Sequence, residues 1–273
     1  MSEIKSILVH VDANEGCARR LDVACELGRR YAAEVHALYA VTPSAFSLAW
    51  DGTGTAAALL AELDAQRQQQ ARAIFDRAQA RHPSALRWQV SSDGMPVSAT
   101  VQAALVHDLV VLGQRDPAQG WGGELPGDLV ESVVVGSGRP VLVVPYTGKL
   151  DGFGSVAMIA WKPTRESARA IDAALPLLRA AREVHLVAWG DDAAASADAV
   201  VQHLQRHGVP AGLHASHVVP QEIGEALLSQ AADLSANLLV MGCYGHSRAR
   251  EFVVGGATRT LLQSMTLPVL MAH

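Results

Sequence analysis

Cysteine is scarce in this chain. Three thiols in 273 residues cannot make a fully paired disulfide framework, and their scatter fits a reducing compartment. Long apolar runs are missing too. No stretch of 18 or more uncharged apolar residues occurs, so no helix spans a membrane. Positive charge is in deficit: 22 Lys and Arg against 27 Asp and Glu give a net charge of −5 and a pI near 6.1. That balance argues against a nucleic-acid-binding surface. The opening residues, MSEIKSILVHVD, go straight into a strand pattern without an apolar segment of signal length, so a cytoplasmic location is expected. The motifs G-x-S-x-G, H-E-x-x-H and C-x-x-C are all absent. No catalytic residue and no metal ligand set is therefore named. His10, His36 and His185 fall inside strand patterns, without ligand spacing.

What is present is a hydrophobic content of 49% with only 18% charged residues, enough for a sizeable core. Short apolar, β-branched runs alternate with segments of helical periodicity. Strands are predicted at 4–11, 34–41, 86–91, 107–112 and 141–144, with helices at 15–30, 56–82 and 97–106 and a short one after the loop that reaches about 126. The pattern then restarts. Strands fall at 156–161, 183–189, 212–218, 238–241 and 268–271, and helices at 164–181, 193–207, 222–235 and 256–264. Such alternation means parallel sheets covered on both faces by right-handed crossovers.

The two halves are copies. EVHAL at 34–38 recurs as EVHLV at 183–187, HDLVVLG at 107–113 as ANLLVMG at 236–242, and RPVLVV at 139–144 as LPVLMA at 267–272. The offset is 149 residues between Glu34 and Glu183 but 129 between Gly113 and Gly242, so the first half carries about 20 extra residues, mostly in 42–82. Two domains are expected, 1–148 and 149–273.

The stretch 238–262, LLVMGCYGHSRAREFVVGGATRTLL, sets a buried strand before a glycine-punctuated loop and a helix start. Gly242, Gly245, Gly255 and Gly256 let backbone come close to an anion, and a helix N-terminus offers free N–H groups and a positive dipole end. Arg248, Arg250 and Arg259 add positive charge. The plainer alternative is a tight strand-to-helix turn with no ligand.

This stretch resembles the nucleotide loop of the universal stress protein family, G-x2-G-x9-G-[S/T], with Gly256 where the family has Ser or Thr and Thr258 as a substitute hydroxyl. The resemblance covers nearly the whole chain and is stronger in the second half. It implies a tandem member of α/β class: two doubly wound, Rossmann-like domains, each a five-stranded parallel sheet in order 3-2-1-4-5 with helices on both faces. It also implies an intramolecular pseudo-dimer through the last strands, 141–144 and 269–271, and a homodimer of the whole chain. The implied ligand is ATP or a related adenine nucleotide with Mg, bound in the second half by Lys162, Val219, Gly242, Gly245, His246, Arg248, Gly255, Gly256, Ala257 and Thr258. The implied role is a stress-response regulator or ligand sensor, with at most slow ATP hydrolysis; the alternative is a scaffold that binds no nucleotide and acts through its paired domains.

Neither half carries a full set. The family's adenine-accepting Asp after the first strand matches Asp12 in the first half but Lys162 in the second. In the first half Asp116 replaces the second loop glycine, with Glu124 and Asp128 nearby, which reads as a decayed site or one for a different ligand. Cys243 and Tyr244 lie inside the second loop, Cys243 as a small filler or as a thiol made reactive by the helix end. Cys17 and Cys25 read as core thiols.

Overall fold

The computed structural model describes residues 3–44, 55–82, 86–91, 94–116, 125–148, 150–243 and 256–273. It divides into two compact units, one of residues 4–139 and one of residues 140–273 together with 1–3. The fold is α/β, with parallel-dominated sheets and helices on both faces.

In the first unit β1 (Ser6–Val11) pairs in parallel with β2 (Glu34–Tyr39) on one side and β4 (Leu109–Gly113) on the other, and β2 continues to β3 (Leu86–Val90). β1 and β4 are nearly all apolar because helices cover both their faces, so alternation has no advantage. α1 (Gly16–Tyr31) buries Cys17, Leu21, Ala24 and Cys25 as one stripe. α2 (Thr55–Arg81) buries Ala71, Phe75 and Ala78 near its C-terminal end. There Phe75 meets the Trp88 ring edge-on at 5.2 Å, and Tyr39 stacks on Trp88 at 5.9 Å. α3 (Pro96–Ala104) and α4 (Leu129–Gly136) complete the unit.

The second unit begins with β5 (Val141–Val144), which the repeat assigned to the first half. β5 pairs antiparallel with β10 (Val269–Ala272), Val143 opposite Val269 and Val141 opposite Met271, the two last strands that the family resemblance pairs. Mutual pairing covers two edges that would otherwise be exposed. The compact units thus divide before β5, whereas the repeat divides after it. From β10 the order runs through β9 (Leu238–Gly242), β6 (Val156–Trp161) and β7 (Glu183–Trp189) to β8 (Gly212–Ser216), all in parallel. Helices α5 (Arg165–Ala180), α6 (Asp191–Arg206), α7 (Ile223–Asp233) and α8 (Gly256–Ser264) alternate with these strands. α5 stays continuous through Pro176, which the sequence places inside a predicted helix. Burial of Ala170, Ile171, Ala174, Leu175, Leu177 and Leu178 outweighs the one missing N–H. Among the described residues no helix is long and apolar enough to cross a membrane.

Candidate functional site

In an open α/β sheet the ligand crevice lies outside the carboxyl ends of the strands, where the strand order reverses. That point is between β1 and β4 in the first unit and between β6 and β9 in the second. Continuing each parallel register puts Val11 across from Gly113 and Trp161 across from Gly242. Asp12 and Lys162 are the next residues, so the two crevices are framed alike and differ in what fills them.

In the first crevice Asp12 is fully buried. Its Oδ1 lies 2.7 Å from Arg20 Nη2 and accepts a hydrogen bond from the Asn14 N–H at 3.0 Å. Arg20 comes from α1, is itself buried, and donates through Nε to the His10 carbonyl at 3.2 Å. Its side chain lies over Gly113: a Cβ there would stand 3.0 Å from Arg20 Cδ and closer still to Nη1. Burial pushes the Asp12 carboxyl up, but the charge and close contact of Arg20, with the hydrogen bond from Asn14, outweigh it and leave the group below the ordinary carboxylate range. His10 makes a 2.7 Å hydrogen bond through Nε2 with the Ala40 carbonyl, and burial holds its pKa below the usual value. The Cys17 thiol is pushed up by burial. The family resemblance matches Asp12 to the adenine-accepting position, in a half whose loop reads as decayed or made for a different ligand, and does not mark Arg20. The available signal was position: Arg20 falls on the stripe of Cys17, Leu21 and Ala24, where an unpaired charge is not tolerated.

In the second crevice Lys162 is exposed, and its carbonyl accepts from the Thr164 N–H at 2.7 Å. The Thr164 side chain caps α5 by accepting from the Ser167 N–H at 3.3 Å. The first turn of α5 lies directly on Gly242: a Cβ there would be 2.8 Å from Ser167 Cα and closer to the Ser167 nitrogen. Gly242 is thus required by helix-on-strand packing as well as by any ligand. Cys243 is buried, its Sγ 3.3 Å from the Ala272 carbonyl, and burial followed by the nearby Glu166 carboxylate pushes its thiol strongly up. Such a thiol is inert, the filler of the two readings. Glu166 is buried in the first turn of α5 and pairs with Arg165.

Val219 is 52% exposed beyond the carboxyl end of β8, its Cγ2 2.9 Å from the Cβ position of Gly190, which has a φ of +89° after β7. α8 starts at Gly256, where a Cβ would meet nothing within 4 Å among the described residues. Ala257 is partly exposed, its carbonyl turned to Gly224 of α7, and Thr258 is buried. The structure therefore places Lys162, Val219, Gly242, Gly256, Ala257 and Thr258. Gly245, His246, Arg248 and Gly255 lie outside the described residues. A groove of about 380 Å³ beside β2, β3 and α3, lined by Leu38, Gln89, Val90, Ala99 and Gln102, carries no charged side chain.

Repeated framing of two switch-point crevices, one per unit, is matched by comparison with known proteins. The model of the universal stress protein family matches twice, over residues 3–145 and 158–273. The chain belongs to the universal stress protein family. Among solved structures, a universal stress protein from Archaeoglobus fulgidus DSM 4304 is similar at 16% identity and a TM-score of 0.72, covering 98% of this chain and 95% of that one. A functionally unknown protein from Pseudomonas aeruginosa PAO1 follows at 15% identity and a TM-score of 0.63, with 98% and 92% covered. A putative universal stress protein from Pseudomonas aeruginosa UCBPP-PA14 has 16% identity and a TM-score of 0.59, with 98% and 93% covered. At these identities the likeness is one of fold. No curated protein matches the sequence. This universal stress protein is a tandem member, and its two crevices differ in the charges they hold.

Proposed function

We infer that the second half binds the phosphates of ATP or a related adenine nucleotide, and that the protein works as a nucleotide-responsive regulator in the cytoplasm. The observation that carries this reading is the frame around the glycine motif: β9 ends at Gly242 and α8 begins at Gly256, with nothing among the described residues within 4 Å of a Cβ there. A strand, a spaced-glycine loop and a helix N-terminus are what backbone recognition of phosphate needs. The residues fit phosphate better than base. Lys162 is exposed at the end of β6 and supplies charge, but it offers only donors where an adenine amino group wants an acceptor. Backbone carbonyls near Val219 take that part. Mg would be held by the phosphates and water, as this ion prefers. The loop contacts belong to Gly245, His246, Arg248 and Gly255, with Ala257 and Thr258 in the first turn of α8. No general base is named, so hydrolysis is slow and incidental. The chain pairs with a second copy, which light scattering of the purified protein would test.

Loss of one base hydrogen bond costs about 0.5–1.5 kcal/mol, roughly three- to tenfold in affinity. Modest affinity and poor choice between ATP and GTP follow, and Lys162→Asp should sharpen the preference for ATP. Calorimetry with both nucleotides on both proteins decides this. Strong ATP preference in the wild type, unimproved by Asp, would sink the base-recognition argument. Gly245→Asp should abolish binding while leaving the unfolding midpoint in place. Mass spectrometry of small molecules released from denatured protein tests the reading as a whole: absence of any nucleotide, together with no heat on titration, returns the chain to the scaffold reading.

A further inference from the structure

We propose that Arg20 is the built-in occupant of the first switch-point crevice: its guanidinium, paired with Asp12 and lying over Gly113, takes the place of a ligand there. The proposal is independent of whether the second half binds nucleotide.

Three observations carry it. The pair stands where open sheets take ligands, between the carboxyl ends of β1 and β4. Arg20 enters from the side, its Nε on the His10 carbonyl and its Nη2 on Asp12 at the end of β1, while its Nη1 faces Gly113 at the end of β4. The repeat then supplies a control within the same chain. α1 buries Cys17, Arg20, Leu21 and Ala24, and α5 buries Ser167, Ala170, Ile171 and Ala174 at the same spacing. Asp12 and Arg20 therefore correspond to Lys162 and Ala170, and the half that lacks the carboxylate also lacks the guanidinium. Where Arg20 lies over Gly113 in the first unit, it is the backbone of α5 that meets Gly242 in the second.

Recognition at this crevice is recognition of a planar cation. Asp12 Oδ2 is buried and finds no hydrogen-bond donor among the described residues, and Arg20 Nη2, 2.7 Å from Oδ1, pairs with the carboxylate by charge rather than in hydrogen-bond geometry. His10 Nδ1 is 3.9 Å from it, and with the other ring nitrogen on the Ala40 carbonyl a neutral imidazole presents no proton there. A carboxylate so placed, with one oxygen engaged and one orphaned, takes a planar N–H donor group better than a compact ammonium. Shortening Arg20 thus leaves a concealed guanidinium-selective site, which a free guanidinium compound can enter.

The experiment is thermal unfolding of the full chain as wild type, Arg20→Ala and Asp12→Asn/Arg20→Ala, each with and without methylguanidinium or methylammonium at millimolar concentration. Removing one partner of a buried ion pair should lower the melting point of Arg20→Ala by on the order of 10 °C. Methylguanidinium should recover most of that loss, methylammonium should not, and neither the wild type nor the double variant should respond. If Arg20→Ala does not fold alone, methylguanidinium in the refolding buffer should restore folded protein that methylammonium does not. Equal rescue by both cations, no rescue, or an undiminished melting point would each overturn the proposal.

Discussion

Ala32 ends α1 with a φ of +51°, a left-handed conformation that costs an L side chain energy. Ala32→Gly should raise stability by roughly 0.5–1 kcal/mol, the steric relief less the extra chain entropy of glycine. An unchanged or lower urea midpoint would show that the Ala32 methyl contributes more by packing than its conformation costs. Gly242 is the opposite case. A methyl group there meets the backbone of Glu166 and Ser167, not a flexible side-chain end, so Gly242→Ala should cost about 1–3 kcal/mol. Gly245→Asp is expected to cost nucleotide affinity, and measuring both variants separates the packing glycine from the proposed binding one. At this scale the sequence was partly legible. The spacing of the glycines could be read from it, but that α5 packing also requires Gly242 could not, because the contact joins residues 75 positions apart, 167 and 242.

The cap of α5 decides how the helix start lies against β9. Thr164 has an extended backbone, φ −131° and ψ 157°, and its hydroxyl accepts from the Ser167 N–H. Thr164→Ala should destabilise the protein by about 1 kcal/mol, readable in chemical denaturation, and Thr164→Asp should retain most of the wild-type stability. Loss of the same stability in both variants would assign the effect to something other than the cap. α5 also shows periodicity prevailing over a single helix-breaking residue. Pro176 is a helix breaker by composition, yet the helix runs through it, because the apolar stripe on either side is buried. α2 teaches the converse. Its long Ala-, Gln- and Arg-rich run was readable as a helix from propensity, but its anchorage at Ala71, Phe75 and Ala78 only becomes visible with Trp88 beside it.

At the scale of a whole unit, the buried titratable groups concentrate in residues 4–139. His10 and His107 both have lowered pKa values, with burial the leading cause. Each stays neutral when folded and takes up a proton on unfolding once the pH drops below the ordinary histidine value of 6.5. The unfolded state then binds more protons, so stability falls with pH. Asp12 and Asp108 have lowered carboxyl pKa values and add a second loss, which begins below the ordinary aspartate value of 3.8. The urea midpoint should therefore fall between pH 7.5 and 5.5, and His10→Gln should flatten part of that fall. A midpoint that holds or rises at pH 5.5 would contradict this account.

Sequence by itself determined the alternation of strands and helices, the two copies and the strand–glycine–helix frame of the second half. These rest on local periodicity and on repeats, which a linear reading detects. The family resemblance implied that β5 pairs with β10, but only the tertiary structure decided that the pairing is antiparallel and that β5 joins the second compact unit, since strand pairing is set by edges that meet in space. The same holds for the first crevice. Asp12 and Arg20 are both plain in the sequence, but one reads as a ligand acceptor and the other as an ordinary helix charge. Their neutralising contact exists because α1 is packed on β1 and β4, which removes both side chains from the solvent.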